Sequence, residues 1–351
     1  QIVDYLKVIQ EIGVDVIEIG FRFPNPTKRL GICARTDDSF LKKILPLKKK
    51  KFAVMINSSD YITNNKVNIG LVDEYFKKED KIGIEIVRIA SHFKDLEISN
   101  QLARKLKSLG YEVCLNLMQI SEINLNKLGQ KLKEINKFFF DIFYVADSLG
   151  SLNNDDILIL SKFLTKFIKI PIGIHAHNNQ DLALSNTMIA AKNKFNWLDA
   201  TFMGMGRGPG NVETEKLLLN LSSKNMINKI NLLSGFLYIK HFDLLKKRFQ
   251  WGPNFLYYLS GIYSIHPSYV QALSNTADSL KKIKILNKLK DLPNRNKFYT
   301  SQIPKNKNLK IKEFEYKKIN NDKLMIIGNG ISLKKNLSKI KRLILKEKLC
   351  V

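Results

Sequence analysis

Cysteine and histidine are scarce in this chain, acidic charge is in short supply, and no long apolar run is present. The three cysteines, Cys33, Cys114 and Cys350, are far apart and form no C-x-x-C pair. That argues against a disulfide framework and against a thiolate zinc site, and it fits a reducing, cytoplasmic setting. No segment approaches the roughly 20 consecutive apolar residues of a bilayer-spanning helix. The opening QIVDYLKVIQEIG has the spacing of an amphipathic helix already under way, not the layout of a secretory signal. Because the chain begins with Gln instead of Met, it is expected to be a piece of a longer protein.

The shortage of acid gives a net charge of +26, which invites a nucleic-acid reading. The distribution removes it. Residues 225–351 carry 26 Lys and Arg against 7 Asp and Glu, a net +19, while residues 1–224 carry only +7. The basic tail is diffuse and lacks a recognition helix, zinc finger or RNP-type aromatic motif, so it reads as a solvated basic face and nucleic acid is not expected as a partner.

What is present is an alternation. At 44% hydrophobic residues the chain can bury a core. Nearly continuous apolar runs at 15–21, 52–57, 84–90, 111–118, 142–148, 170–177 and 198–204 read as strands buried on both faces. Between them lie segments with helical spacing, such as DLEISNQLARKLKSLG and DDILILSKFLTKF. Seven strand-then-helix units predict an α/β fold with a parallel sheet, and specifically a TIM (β/α)8 barrel whose first strand lies upstream of Gln1. Three regions are expected: the barrel at 1–224, a helical, basic extension at 225–322, and at 323–351 the start of a Rossmann-like βα unit carrying a lone GxG, Gly328 and Gly330.

Two of only five histidines fall in GIHAHNN, residues 173–179. Positions i and i+2 of a strand face one side, so His175 and His177 project together at a strand's C-terminal end, the catalytic face of such a barrel. Two imidazoles there can share a divalent cation; surface or hydrogen-bonded core histidines give the same pattern. The next strand leads into GMGRGPGNVETE, 204–215, whose alternate glycines, Gly206 and Gly208 among them, let the backbone pass close to a bound group. Asn211 follows, either as a ligand, as a helix N-cap, or as part of a phosphate cradle.

Together, HAHNNQDLALSNTMIAA and GMGRGPGNVETEKLL resemble the metal-dependent carbon–carbon lyase and synthase superfamily. It includes 3-hydroxy-3-methylglutaryl-CoA lyase, isopropylmalate synthase and 4-hydroxy-2-oxovalerate aldolase, with aldolase-type domains of polysaccharide-associated proteins nearest. The resemblance covers about residues 1–224. It implies that His175, His177 and Asn211 hold Mn2+ or Mg2+, and that Ser148 contacts the substrate carboxylate with Asp147 shaping the site, although ADSLG (146–150) also reads as a plain strand-to-helix turn. The implied chemistry is Lewis-acid stabilisation of the enolate of a 2-oxo acid, with an aldehyde as the other product or partner.

One departure stands out. The family's first strand carries an Asp-Arg-Asp-Gly type motif that supplies a metal ligand and a catalytic Arg, and no such motif precedes IVDYLKVIQ. The stretch alone is therefore expected to be inactive. Arg88, His92, Asn57, Asn116, Gly206 and Gly208 are further candidates for the pocket, and Glu18, a carboxylate inside an apolar run, is expected to meet Arg88 within the barrel. Two rival readings are an acyl-CoA condensing synthase of the same superfamily and a non-catalytic binding module of a larger sugar-assembly protein. The oligomeric state is open. The predicted sheet is seven-stranded and gapped, with 15–21 and 198–204 flanking the vacant place.

Overall fold

The computed structural model describes all residues except 1, 26–30, 79–81, 136, 229, 231–241, 274–278, 300 and 302–351. The Gly328/Gly330 motif and the expected βα unit at 323–351 lie outside the described residues.

Seven strands form one parallel sheet: β1 (Val16–Phe21), β2 (Lys51–Asn57), β3 (Ile86–Ser91), β4 (Glu112–Leu117), β5 (Ile142–Asp147), β6 (Ile172–Ala176) and β7 (Phe195–Leu198). They are joined in sequence order, with β1 and β7 at the two edges. Helices alternate with them: α1 (Ile2–Ile9), α2 (Asp38–Ile44), α3 (Ile69–Tyr75), α4 (Leu96–Ser108), α5 (Leu125–Glu134), α6 (Asn154–Phe167), α7 (Ala183–Lys192) and α8 (Thr214–Ser223). This is an α/β fold with a curled seven-stranded parallel sheet, an incomplete barrel.

Period-two alternation builds two layers from the apolar runs. On the outer face Ile17, Val54, Val87, Leu115, Val145 and Ile174 pack under the helices in the main core. On the inner face Ala53, Ile86, Cys114, Ile142 and Tyr144 form a separate buried cluster with Val16 and Trp197 against it. Above that floor, toward the strand C-termini, the inner face turns polar and holds Glu18, Arg88, Asn116 and His175.

The last strand corrects the sequence reading. It spans Phe195–Leu198, not 198–204. The register jumps from Ile172↔Phe195 to Gly173↔Trp197, so Asn196 is an extra residue, a bulge that re-aims the residues beyond it. The polar Asn196 and Lys194 hide the start of this short edge strand. The apolar letters of LDATFMG belong instead to the turn that carries the chain across the mouth, with a 3-10 segment at Phe202–Gly204.

Past α8 the chain is helical again at 242–249, then forms α9 (Phe255–Ile262), α10 (Ser268–Ala272) and α11 (Ser279–Leu289). These helices have their own small core of Tyr257, Ile265, Tyr269 and Leu286. They dock on the mouth of the barrel: Asn179 Nδ2 donates to Ser260 Oγ at 3.0 Å, Gln119 Nε2 to the Asn296 carbonyl at 3.0 Å, and Trp251 Nε1 to the Met203 carbonyl at 3.0 Å. Residues 1–304 accordingly group as one compact unit, where the sequence suggested a boundary near 224.

Gly173, paired with Tyr144, gives a test of the inner layer. A Cβ at Gly173 would lie 2.5 Å from the Tyr144 ring. Gly173→Ala is expected to destabilise the protein by about 1–3 kcal/mol through overpacking, read by urea unfolding.

Candidate functional site

His175, in β6, and His177, just beyond it, have ring centroids 5.0 Å apart. What each Nδ1 does decides what each Nε2 can do. His177 Nδ1 is 2.9 Å from the Asp147 carbonyl oxygen, which can only accept, so this nitrogen carries the proton. His175 Nδ1 is 2.8 Å from Asp199 Oδ2, and donates to that carboxylate. Both Nε2 atoms are left with lone pairs, the tautomer a metal ligand needs. Burial, helped by the neighbouring His175, holds the His177 imidazole down to about 3, so it is neutral at ordinary pH.

Asn211 sits beside this pair. It forms an isolated antiparallel bridge with His177. Its Nδ2 donates to the Met205 carbonyl at 3.1 Å, while its Oδ1 is shielded from solvent and has no hydrogen-bond partner. An amide oxygen left so costs about 1–3 kcal/mol, and a cation would relieve it. Asn211 is not a helix cap: α8 starts at Thr214, after Glu213. Gly206 is what permits the arrangement, since a Cβ there would lie 2.4 Å from Asn211 Nδ2.

Two imidazole nitrogens and one orphaned amide oxygen fit Mn2+ or Mg2+ and leave coordination positions for carboxylate and water. Among the described residues, no three His, Cys, Asp or Glu side chains gather at metal-binding geometry.

Behind His175 runs a charged chain that the sequence revealed only in part. Arg88 Nη1 donates to Glu18 Oε2 at 2.8 Å, as expected, and Arg88 Nη2 donates to Asp199 Oδ2 at 2.6 Å. The guanidinium also lies 4.4 Å from the centroid of the Tyr144 ring. Burial works to raise the Asp199 carboxyl, but Arg88 and the His175 N–H bring it down to about 2. Burial pushes Glu18 up against the pull of Arg88, which leaves Arg88 and Asp199 as the dominant ion pair. Asp199 was missed in the sequence because it fell within a segment read as strand. The bulge at Asn196 is what turns it inward.

The other candidates divide. Asn116 stands on the inner face opposite Tyr144, buried, with its Oδ1 unpartnered. Ser148 Oγ accepts from the Gln119 backbone N–H at 2.9 Å, leaving its own proton to donate. The Asp147 carboxylate accepts from the Ser151 and Leu152 N–H groups at 3.0 and 3.1 Å, and what reaches His177 is the Asp147 main-chain carbonyl. Asn57 bonds Asp60 across its own turn at 3.1 Å. His92 caps β3, its imidazole lowered by burial. Gly208 faces Tyr257 of α9, whose hydroxyl would be 3.0 Å from a Cβ there.

From α9–α10 the mouth also receives His266, whose imidazole is lowered to about 4 by burial and then by the Arg207 cation. Between about pH 4 and 6.5 the unfolded chain binds a proton at this residue that the folded chain does not, so its contribution to stability is lost as pH falls through that window. His266→Gln is expected to remove that part of the pH dependence, read as a smaller loss of unfolding free energy between pH 7 and pH 5 than in the wild type.

The geometry can be set beside known proteins. A family model described as HMGL-like matches residues 1–236. Over 224 residues the chain is 30% identical to a 4-hydroxy-2-oxovalerate aldolase of Pelotomaculum thermopropionicum, covering 63% of this chain and 63% of that protein. A protein of the same name from Geobacillus thermodenitrificans is 29% identical over 251 residues, 70% of this chain and 68% of that one. Among solved structures, the N-terminal domain of a candidate aldolase from Bacteroides vulgatus superposes with a TM-score of 0.69 at 28% identity, covering 80% of this chain and 91% of that domain. Bacillus subtilis HMG-CoA lyase, at 14% identity and a TM-score of 0.56 over 72% of this chain and 87% of that one, shares the fold. The chain spans about three-fifths of the length of the first curated relatives it matches. With the HMGL-like model covering residues 1–236, well over half its length, the chain belongs to the HMGL-like family of carbon–carbon lyases and aldolases.

Proposed function

We propose that this barrel is the catalytic domain of a divalent-metal-dependent aldolase or lyase that acts on a 2-oxo acid, with an aldehyde as the second product or partner. The observation that carries the reading is the pair of Nε2 lone pairs on His175 and His177, each fixed by a bond at Nδ1, beside the orphaned Asn211 Oδ1. His175, His177 and Asn211 would hold the metal, Mn2+ or Mg2+. When bound, the cation would polarise the 2-oxo group of the substrate and so ease loss or attack at the adjacent carbon.

The chain's own groups do the rest. Asp199 holds the His175 tautomer, and Arg88 holds Asp199 in turn. Ser148, its oxygen already occupied by the Gln119 N–H, offers its proton to the substrate carboxylate. Asn116 lines the inner wall beside Tyr144. Helices α9 and α10 shield the mouth from water. A strand between the edges β1 and β7 would close the sheet, and the carboxylate and guanidinium that the family's first strand supplies would enter there.

The test uses the parent protein and this 351-residue stretch side by side. Mn2+ binding is followed by EPR and pyruvate release from a 4-hydroxy-2-oxo acid by a coupled assay. The expected result is metal-dependent pyruvate release by the parent and very weak release by the stretch. A parent that neither binds Mn2+ nor releases pyruvate would point to a binding module, and full activity in the stretch would remove the need for the added strand.

A further inference from the structure

Where β4 ends, the chain makes a turn that its sequence does not favour. The Met118 N–H still follows the strand pairing and donates to the Ser91 carbonyl at 2.9 Å. The next residue, Gln119, has φ 54° and ψ 43°, in the left-handed region. That conformation crowds a Cβ against the backbone, and Gln has neither the bare Cα of Gly nor the short side chain that eases Asn and Asp there. Such a residue persists only where its surroundings hold it. Two hydrogen bonds hold this one, and they lead to different parts of the molecule.

The first bond is to the barrel: the Gln119 backbone N–H donates to Ser148 Oγ at 2.9 Å. The turn after Ser148 is itself fixed, since the Asp147 carboxylate takes the Ser151 and Leu152 N–H groups. The second bond is to the helical extension: Gln119 Nε2 donates to the Asn296 carbonyl at 3.0 Å. Asn296 is gripped again on the same turn, where its Nδ2 donates to Glu122 Oε2 at 2.6 Å. The segment around Asn296 is pinned in turn to the region of α9 and α10. The Arg295 carbonyl accepts from the His266 N–H at 2.8 Å. The Tyr269 hydroxyl donates to the Lys297 carbonyl and accepts from the Tyr299 N–H, both at 3.0 Å. A hydrogen-bonded path thus joins the extension to the Ser148 hydroxyl, with the strained residue in its middle.

We infer that Gln119 is a positioning residue for the substrate carboxylate: the extension, bonded to its side chain, keeps its backbone left-handed, and that conformation turns its N–H onto Ser148 Oγ. With a donor already on its oxygen, Ser148 directs its own proton to a carboxylate oxygen, a charge-assisted bond. The inference rests on the aldolase reading above for what Ser148 contacts. It goes beyond that reading by giving the extension a part in substrate affinity, exerted through the backbone at Gln119. Without the Asn296 carbonyl, the backbone there is expected to relax out of the left-handed region. Its N–H then leaves Ser148, and the hydroxyl is free to donate elsewhere.

The experiment uses the parent protein and compares two substitutions that remove the same tether. Gln119→Ala loses the bond to Asn296 and keeps the strain. Gln119→Gly loses the same bond and, with no Cβ, the strain as well. Any loosening of the extension is common to both and drops out of the comparison. Calorimetry reads pyruvate binding to the Mn2+-saturated protein, the coupled assay reads KM and kcat, and hydrogen exchange reads the protection of the amide at position 119. Gln119→Ala is expected to weaken pyruvate binding about tenfold, the scale of a hydrogen bond to a charged group, to raise KM by more than it lowers kcat, and to strip the amide of protection. Gln119→Gly is expected to recover most of each loss, and Mn2+ affinity is expected to follow the wild type in both. Wild-type pyruvate affinity in Gln119→Ala would overturn the inference. So would an equal loss in the two variants, which would mean that Gln119 serves only to dock the extension. Protection lost in Gln119→Ala and kept in Gln119→Gly, in a parent that binds neither Mn2+ nor pyruvate, would sustain the hold on Ser148 while sinking the aldolase reading.

Discussion

Replacing Arg88 with methionine is expected to cost about 3–5 kcal/mol of stability, the toll of leaving a buried carboxylate without its partner. Arg88 is 8% exposed and its two Nη atoms are committed to Glu18 and Asp199 at 2.8 and 2.6 Å. Methionine fills much of the space but leaves the Asp199 carboxylate with the His175 N–H and the Tyr144 hydroxyl in place of a guanidinium. The triple change Glu18→Gln, Arg88→Met, Asp199→Asn removes the charges together and is expected to recover most of the loss, since whole buried ion clusters often contribute little net stability. Chemical denaturation of the single and triple variants checks this. A single variant as stable as the wild type would show that Asp199 does not depend on Arg88.

The second large effect is on metal affinity. His177→Ala is expected to abolish measurable Mn2+ binding, because it removes one of the two imidazole donors while leaving the main-chain bridge to Asn211 in place. Asp199→Asn keeps the shape but not the charge behind His175, and is expected to weaken Mn2+ by about 10–100-fold, the usual cost of losing a partner of a metal-ligating histidine. Asn211→Ala should fall between the two. Mn2+ titrations followed by EPR read all three. Equal affinity in the wild type and the His177→Ala variant would put the metal elsewhere.

Much of this site was legible in the letters. His175 and His177 announced themselves by spacing, and Asn211 by its place after the glycines. Six of the seven strands fall within a residue or two of their apolar runs, because strands covered on both faces need apolar residues at every position. The seventh misled for the same reason in reverse. An edge strand with one covered face tolerates Asn196, while the turn after it must bury Phe202 and so looks like a strand. Asp199 was hidden by that slip, since a bulge, which no local pattern announces, decides its direction. The covering of the mouth by the extension was hidden differently. Its segments are ordinary one by one, and they fold back over the mouth through such contacts as Gln119 to Asn296, 177 residues apart in the chain.

The unpaired edges β1 and β7 make the sheet a host for an added strand. Among the described residues neither edge pairs with a further strand, although the Phe21 carbonyl at the end of β1 already accepts from Thr36 Oγ1 at 2.7 Å; such an edge is a template for pairing with an extended segment. Glu18 sits on β1 with its carboxylate aimed inward and its side chain 28% exposed, so a strand entering the gap must meet it. Because that carboxylate already pairs with Arg88, a segment with a donor at that level is expected to suit it better than an all-apolar one. Strand complementation with synthetic peptides supplied in trans, with and without a donor at that level, would measure the preference.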